Sequence, residues 1–396
     1  MRAQNDVYVV DYTRTPFSRS RPSEPEKDVF NSVRMDEAVA LLIRRLVERT
    51  GTKPDEIGDV VIGCALQGGE NWQFGGRQAV MLAGLPVNVP AVAVDRQCAS
   101  SMSAVAMGAF EVMLGNSRVV LTGGMEHMTH VPMGTPLLSK NDRLLTEPEY
   151  AKYKMDVGFS MGLTAEKLAA ESGITRDEMD LFALESHRRA SEAIEAGWFR
   201  GEITEVKAVV GGEESIISVD QSVRKDTTIE QLRGLRPAFK EGGLITAGNS
   251  SPLNAGAAMV ELASEEEVKE RGWTPLAKIL SFGWAGVEPS LMGKGPVPAS
   301  KKALASAGVG LDAVDLWEVN EAFAVVDLYA IRELGLERNR MNVHGGAISL
   351  GHPLGASGAR LVGTLARQLH ETGKEYGVAA LCVGGGQGFA TVLQRA

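Results

Sequence analysis

Cysteine is scarce in this chain, and long apolar runs are missing from it. The three cysteines, Cys64, Cys98 and Cys382, are odd in number and far apart among 396 residues. They therefore predict neither a disulfide framework nor a zinc site, which would need paired Cys-x-x-Cys spacing. No run of about 18 apolar residues occurs, which excludes a transmembrane helix. We expect no bound metal and no insertion into a membrane.

Positive charge is also in short supply. The chain has 41 Lys and Arg residues against 50 Asp and Glu, a formal net charge of −9, which argues against a nucleic-acid-binding surface. The one dense basic stretch, between Arg14 and Lys27, is interrupted by prolines. It predicts a solvated loop, with contact to an anionic ligand as the alternative. The first residues lead into an apolar segment without a signal-peptide layout, so we expect a reducing, cytoplasmic setting.

Glycine, in contrast, is abundant, at 45 of 396 residues where a share of about 7% is usual. Many glycines separate short apolar segments from helical ones. Bare apolar strands that alternate with helices predict parallel βαβ units. The predicted strands are 7–11, 57–63, 91–95, 118–124 and 256–262 in a first series, and 277–283, 315–319, 341–343, 378–383 and 388–394 in a second.

Within the first series the pattern breaks. Residues 129–253 contain an irregular stretch, two helices and short strand pieces, and the second helix opens with a capping box formed by Thr175 and Glu178. Long irregular insertions in compact folds tend to carry binding function. We therefore divide the chain into a first half (1–128, completed by 254–276), an inserted loop domain (129–253) and a second half (277–396).

The two series have the same order of elements, which indicates an internal repeat. In each, a turn with one reactive residue precedes a helix, and the strand after that helix ends in glycines, at Gly124 or at Gly384. Cys98 occupies the turn in the first series, and His352 occupies it in the second. Two pseudo-repeated α/β halves packed face to face would bring these turns together.

Cys98 lies between a short buried strand and a helix that opens with Ser100, Ser101 and Ser103, which can supply N-cap oxygens. A thiol at a helix N-terminus lies near orphan N–H groups, which lower its pKa from about 8.5. This setting predicts a nucleophile, with a small core residue as the alternative. Cys64, at the end of a strand and without an apparent polar partner, is predicted to be structural.

Three further residues could do chemistry beside Cys98. His352 lies in a glycine-rich turn with room for a ligand, and a His beside a Cys can generate a thiolate at pH 7; a structural histidine is the alternative. Cys382 precedes Gly384, and N–H groups of such a glycine run can form an oxyanion hole, whereas a dinucleotide fingerprint matches poorly. Asn320, at a strand-to-helix turn, can orient a water or cap the helix.

Several blocks of this chain, taken together, resemble the signature blocks of the thiolases. The similarity runs from Val7 to the C-terminus, and Arg236-Pro-Ala-Phe and Thr246-Ala-Gly-Asn-Ser-Ser also match. The four main blocks are Cys98-Ala-Ser-Ser-Met, Asn320-Glu-Ala-Phe, Gly345-Gly-Ala-Ile-Ser-Leu-Gly-His-Pro-Leu-Gly-Ala-Ser-Gly-Ala-Arg and Cys382-Val-Gly-Gly-Gly-Gln-Gly.

The resemblance implies an α/β thiolase fold, in which two βαβαβαββ halves form a five-layered α-β-α-β-α core and a loop domain binds coenzyme A (CoA). It implies that Cys98 is the acylated nucleophile, that His352 activates it, and that Cys382 moves a proton on the acetyl methyl carbon. His352 and a water held by Asn320 would stabilise the enolate oxygen. The N–H groups of Cys98 and Gly384 would hold the thioester oxygen.

The resemblance also implies contacts to CoA, which would be a co-substrate and not a prosthetic group. Arg224 would lie at the adenine end, Ser251 at the pantetheine arm, and Met161, Phe239 and Phe323 at the acyl end. A homodimer or homotetramer is expected, and a β-oxidation hydratase/dehydrogenase partner is left open.

Two departures from the family pattern bear on function. Asp95 stands where these enzymes commonly have Asn, so we expect a different hydrogen bond near the nucleophile turn. Ser160 precedes Met161 where acetoacetyl-specific thiolases usually have His. We therefore expect a degradative 3-ketoacyl-CoA thiolase that releases acetyl-CoA and a shortened acyl-CoA. The alternatives are a biosynthetic acetoacetyl-CoA thiolase and, from another class, a non-catalytic acyl-CoA- or lipid-binding relative.

Overall fold

Two sets of strands with the same spatial order meet edge to edge in one sheet of the computed structural model, which describes residues 5–134 and 139–396. The strands are β1 (Val7–Arg14), β2 (Ser18–Arg19), β3 (Ile57–Gly63), β4 (Val92–Val94), β5 (Val119–His127), β6 (Val206–Val210), β7 (Glu213–Ile217), β8 (Asn254–Ser264), β9 (Ala277–Gly286), β10 (Leu316–Val319), β11 (Tyr376–Val383) and β12 (Gln387–Arg395).

Thirteen α-helices, some of a single turn, connect the strands in this described part of the chain. They are α1 (Met35–Thr50), α2 (Arg77–Leu82), α3 (Ser100–Leu114), α4 (Arg143–Thr146), α5 (Met155–Gly158), α6 (Met161–Ser172), α7 (Arg176–Glu195), α8 (Ile229–Arg233), α9 (Glu265–Arg271), α10 (Pro296–Ala307), α11 (Ala324–Leu334), α12 (Ala347–Leu350) and α13 (Leu354–Thr372). The predicted capping box at Thr175 and Glu178 is confirmed at the start of α7.

The strand order confirms the predicted repeat. The first set runs β4-β3-β5-β8-β1 and the second runs β10-β11-β12-β9, so that corresponding strands occupy corresponding places. The predicted parallel pairing is confirmed for β3 with β4 and β5 and for β10 with β11, whereas the other pairs are antiparallel. The two sets join through a short antiparallel contact between β1 and β9.

The strand predicted at 341–343 is wrong, and Asn342 explains why. Asn342 has a left-handed φ of 47°, and only single bridges, such as Trp317 with Met341, form here. The Asn342 side chain accepts from the Val319 N–H at 2.9 Å and donates to the Val319 C=O at 2.8 Å. The Asn342 side chain therefore bonds to the backbone groups at the edge of β10, where a fifth strand of the second set was expected.

The helices and sheet stack in the predicted order α-β-α-β-α. Helix α1 and α2 pack on the outer face of the first strand set, and α10 and α11 pack on the outer face of the second. Helices α3 and α13 lie between the two sets in one shared apolar core. Gly358 of α13 permits their close approach, because the β-carbon of any other residue there would lie only 2.4 Å from the Met102 backbone nitrogen of α3. This central layer carries the turns of Cys98 and His352 at its helix starts.

Residues 129–253 hold α4 to α8 and the separate β6–β7 hairpin. The domain boundaries drawn from the sequence stay predictions, and residues 1–4 at the predicted leaderless N-terminus lie outside the described residues. Of the helices in residues 5–134 and 139–396, none combines the length and the apolar character needed to span a bilayer.

Candidate active site

Cys98 lies in a single 3₁₀ turn between β4 and α3. The predicted serine N-cap is wrong, because Ala99 takes the cap position and no side chain bonds there. Instead, the Ser100 hydroxyl accepts from the Arg96 N–H at 3.0 Å and donates to the Gln97 C=O at 2.6 Å, which closes the nucleophile turn. The Ser101 hydroxyl accepts from the N–H of Ala359 in α13 and so links the two central helices.

The Cys98 thiol is only 7% exposed, and this burial controls its charge. Burial raises the pKa of Cys98 to about 11, although hydrogen bonds from the Gly384 and Cys98 N–H groups favour the thiolate. The lowered pKa expected from the helix start alone is therefore wrong, since desolvation outweighs the donors. The resting thiol is protonated at neutral pH and needs a base.

His352 lies in the turn before α13, and its hydrogen bonds determine which ring nitrogen carries the proton. Its Nδ1 lies 2.6 Å from the Ser357 Oγ, whose own proton goes to the Pro353 C=O at 2.9 Å. The ring Nδ1–H therefore donates to Ser357, which leaves Nε2 as a proton acceptor. Burial, followed by the charge of Arg360, lowers the pKa of His352 to about 3, so the imidazole is neutral.

The backbone of His352 is fixed by Asn254, which the sequence reasoning missed. The His352 N–H donates to Asn254 Oδ1 at 2.8 Å, while Asn254 Nδ2 donates to the Ser18 C=O at 2.7 Å and to the Ser222 Oγ at 3.1 Å. The preceding Gly351 has a φ of 117°, and a side-chain carbon there would lie 2.6 Å from Asn254 Nδ2. No local pattern could reveal this contact, because its partners are 98 residues apart.

Asn320 and Cys382 complete the polar centre. The Asn320 N–H pairs with the Ala380 C=O of β11, and Asn320 Nδ2 lies 3.3 Å from His352 Nε2. The buried Asn320 Oδ1 has no partner among the described residues, so the amide retains a free acceptor. Burial, then the nearby Cys98, raises the pKa of the Cys382 thiol well above its usual range. The structure thus brings together Cys98, His352, Asn320 and Cys382.

Gly384 places its N–H beside the Cys98 sulfur and faces the apolar end of the site. A side-chain carbon at Gly384 would lie 3.6 Å from the Met161 sulfur. Phe239 packs against Gly162, and its ring centroid lies 6.0 Å from that of Phe323. Met161, Phe239 and Phe323 therefore form an apolar wall next to the thiol, where the sequence placed the acyl end.

Arg224 lines a cavity of about 500 Å³. Pro252, next to Ser251, also lines it, as do Arg19 and Ser222. Ser251 itself is anchored by its N–H to the Ala322 C=O at 3.0 Å. The Arg19 guanidinium has no carboxylate partner within the described residues, and neither has that of Arg224. Arg19, Arg224 and Lys225 line this cavity together with one carboxylate, that of Asp226, so its charged lining is mainly positive. The basic stretch around Arg19 was the signal for it.

Glu126 links the segment after β3 to the start of α13, and it corrects one part of the prediction for Cys64. Its buried carboxylate accepts from the N–H groups of Ala65, Leu66 and Gly355 at 2.9 to 3.1 Å, and from Asn71. The Cys64 thiol also donates to it at 3.4 Å, so the expected absence of a polar partner is wrong. Burial raises the pKa of Glu126 to about 7. Cys64 belongs to this supporting network.

Comparison with known proteins agrees with this geometry. The family model "Thiolase, N-terminal domain" matches residues 7–266, and "Thiolase, C-terminal domain" matches residues 273–395. The chain is 42% identical to a 3-ketoacyl-CoA thiolase of Saccharophagus degradans, over 98% of each chain. It is 41% identical to an acetyl-CoA acetyltransferase of Pseudomonas aeruginosa, over 98% of this chain and 99% of that protein's length.

A solved structure of human mitochondrial 3-ketoacyl-CoA thiolase in complex with CoA is similar throughout. It superimposes with a TM-score of 0.87 at 36% identity, covering 99% of this chain and 98% of that one. The matched family models span nearly all of both halves, and the five-layered architecture is that of these relatives. The chain belongs to the thiolase family.

Proposed function

We propose that the protein is a thiolase that cleaves 3-ketoacyl-CoA with CoA, releasing acetyl-CoA and an acyl-CoA shortened by two carbons. The observation that carries this proposal is the convergence of two protonated thiols and a neutral imidazole where the two central helices begin and β11 ends. Cleavage of a carbon–carbon bond next to a ketone needs a soft nucleophile, a separate proton donor and a place for enolate charge. These groups supply each of them.

In the first half of the reaction, the Cys98 proton passes to His352 Nε2, and the sulfur attacks the 3-keto carbon of the substrate. The bond between C2 and C3 then breaks, and its electron pair forms the enolate of acetyl-CoA. His352 Nε2–H and a water held by Asn320 would stabilise the enolate oxygen. Cys382 gives its proton to the enolate carbon, so that acetyl-CoA leaves and the acyl group remains on Cys98.

In the second half, a new CoA thiol gives its proton to the Cys382 thiolate and attacks the acyl-Cys98 thioester. The N–H groups of Cys98 and Gly384 would hold the oxyanion of the tetrahedral intermediate. Cys98 departs as thiolate and regains its proton from His352. The products are the shortened acyl-CoA and the starting form of the enzyme, so atoms and protons balance.

The long cavity would hold CoA as a co-substrate. Its unpaired arginines, Arg224 and Arg19, suit the phosphate groups and adenine, while Ser251 lies where the pantetheine arm would pass. The apolar wall of Met161, Phe239 and Phe323 suits the acyl chain. A solved structure of a relative in complex with CoA supports CoA binding by this fold.

For the physiological direction, we propose degradation over a range of chain lengths, with biosynthetic acetoacetyl-CoA formation as the second candidate. Ser160 before Met161 leaves the site without the His of acetoacetyl-specific relatives. Relatives with both names are about equally similar to the chain. Comparing kcat/KM for four-carbon and longer 3-ketoacyl-CoA substrates separates the two, and a strict four-carbon preference would reverse the order.

Loss of the acyl-enzyme is the decisive test. Cys98→Ala should abolish thiolysis, which is followed as loss of the 3-ketoacyl-thioester absorbance. It should also abolish the increase in protein mass by one acyl group that follows incubation with acyl-CoA. Cys64→Ala is the matched control, since Cys64 is equally buried but forms no acyl-enzyme. Turnover by Cys98→Ala would refute the mechanism. A wild-type protein that binds acyl-CoA without cleavage would instead favour the non-catalytic alternative.

We propose a homodimer formed through the edge of the first strand set. Strand β4 ends the sheet there, and the segment leading to it exposes apolar side chains: Trp72, Phe74, Met81, Leu82 and Val87. An uncovered strand edge beside apolar surface favours pairing with a second copy. Analytical ultracentrifugation should show a dimer or tetramer, and Val87→Asp should weaken it. The cytoplasmic setting and a hydratase/dehydrogenase partner stay predictions.

A further inference from the structure

The turn that carries Cys98 has an unfavourable backbone conformation at the residue before it. Gln97 has a φ of 48°, and only three other non-glycine residues in the described chain have positive φ. This left-handed region brings the β-carbon of an L-residue close to its own backbone, so a glutamine adopts it only where neighbouring contacts hold it. The question is which contact holds Gln97.

Asp95 supplies that contact. The Gln97 N–H donates to Asp95 Oδ1 at 2.6 Å, a short bond to a carboxylate. The Gln97 side-chain amide also lies 3.4 Å from the same oxygen. Two further contacts hold this turn: the Ser100 hydroxyl donates to the Gln97 C=O, and the Arg96 guanidinium lies over the Phe389 ring, 5.1 Å from its centroid. The Asp95 carboxylate also bonds to the Ser100 side chain. Within the described residues, Asp95 is the acceptor for the Gln97 N–H.

The conformation of Gln97 bears directly on the reactive sulfur. A side-chain carbon at Gly384 would lie 3.6 Å from Gln97 Cγ, so Gln97 packs against the residue whose N–H bonds to the Cys98 sulfur. Rotation of Gln97 into the right-handed region would turn the following peptide and move Cys98 relative to Gly384. The shape of this turn therefore sets the position of the thiol.

We propose that Asp95 is a positioning residue, whose carboxylate oxygen holds Gln97 in the left-handed conformation and thereby sets the Cys98 thiol against the Gly384 N–H. The rate consequences rest on the proposed function. The required feature is an acceptor oxygen two residues before the strained N–H and not the negative charge itself. The carboxamide of Asn presents the same oxygen, so Asn should be able to replace Asp95 here.

The test is a double-mutant cycle between Asp95 and Gln97. Asp95→Ala should slow acylation of Cys98 about tenfold or more with KM nearly unchanged, because it leaves the strain unsupported. Asp95→Asn should stay within about threefold of the wild type. In a Gln97→Gly background, where glycine enters the left-handed region freely, Asp95→Ala should cost less than about twofold.

Alkylation of Cys98 by iodoacetamide, located by peptide mass spectrometry, gives the same comparison without any substrate. If the wild type does not cleave 3-ketoacyl-CoA, the proposed function fails, but the alkylation series still tests Asp95. The proposal would be overturned if Asp95→Ala lowered the rate of Cys98 modification equally in the wild-type and Gln97→Gly backgrounds. It would also be overturned if Asp95→Asn were as slow as Asp95→Ala. If Asp95→Ala alone does not fold, a folded and reactive Asp95→Ala/Gln97→Gly variant supports the proposal, and an unfolded one overturns it.

Discussion

Replacing Ser357 with alanine should remove the group that decides which nitrogen of His352 carries the proton. In the structure the Ser357 hydroxyl donates to the Pro353 C=O and accepts from His352 Nδ1–H at 2.6 Å. The imidazole can then accept a proton only at Nε2. Without Ser357 the buried Nδ1–H has no partner, and the tautomer with its proton on Nε2, which cannot act as the base, becomes competitive.

The size of the effect follows from that lost partner. A buried donor left without a hydrogen bond costs about 1–3 kcal/mol, which corresponds to about 5- to 150-fold in rate when it falls on the reactive tautomer. The loss should appear in kcat. The KM for CoA should stay nearly constant, because Ser357 is fully buried behind His352.

Steady-state thiolysis with a saturating 3-ketoacyl-CoA measures both constants. Ser300→Ala is a suitable control, because Ser300 is also fully buried in a helix but its hydroxyl has no partner within the described residues. A kcat of Ser357→Ala within twofold of the wild type would refute the tautomer argument. An equal fall in both variants would show that the effect is a general loss of packing.

Three further predictions concern other contacts of the site. Asn254→Ala leaves the His352 N–H and the Ser18 C=O unpaired, so the free energy of unfolding in urea should fall by about 2–5 kcal/mol; an unchanged midpoint would contradict the proposed support. Because the pKa of His352 is lowered to about 3, its imidazole stays unprotonated on acidification, and kcat should show no fall centred near pH 6.5, where a free histidine titrates. Arg19→Ala should raise KM for CoA about tenfold but leave KM for pantetheine, which has no phosphate, unchanged; equal increases for both would exclude a phosphate contact.

The sequence predicted the residues of the centre well because each of them lies on a turn with a local signature. Cys98 and His352 were each predicted at a turn between a short strand and a helix, and the repeat of this order indicated that they meet. The structure keeps both turns before helices, although His352 follows the short helix α12 and not a strand. The packing of two α/β halves face to face followed from the same repeat, whereas the five-layered order came from the resemblance to the thiolases. What local patterns could not supply were the supporting residues, since Glu126 meets Gly355 across 229 positions and Asn254 meets His352 across 98. Such contacts exist only after the halves have packed.

The failed predictions share a cause as well. The thiol pKa was expected to fall because a helix begins nearby, but burial of Cys98 between two layers raises it. The strand at 341–343 was expected from its apolar residues, but Asn342 takes a left-handed backbone and pairs through its side chain. In both cases tertiary packing overrides a correct local tendency.

Burial of all the reacting groups has a consequence for the order of events. Burial raises the pKa of Cys98 to about 11 and lowers that of His352 to about 3, so moving the proton between them in the empty site carries a large cost in free energy. Attraction within the resulting ion pair offsets part of this cost. The rest must come from the substrate, whose developing oxyanion carries the negative charge away from sulfur and onto hydrogen-bond donors. Proton transfer is therefore favoured as the carbon–sulfur bond forms, and the empty enzyme keeps Cys98 in the thiol form.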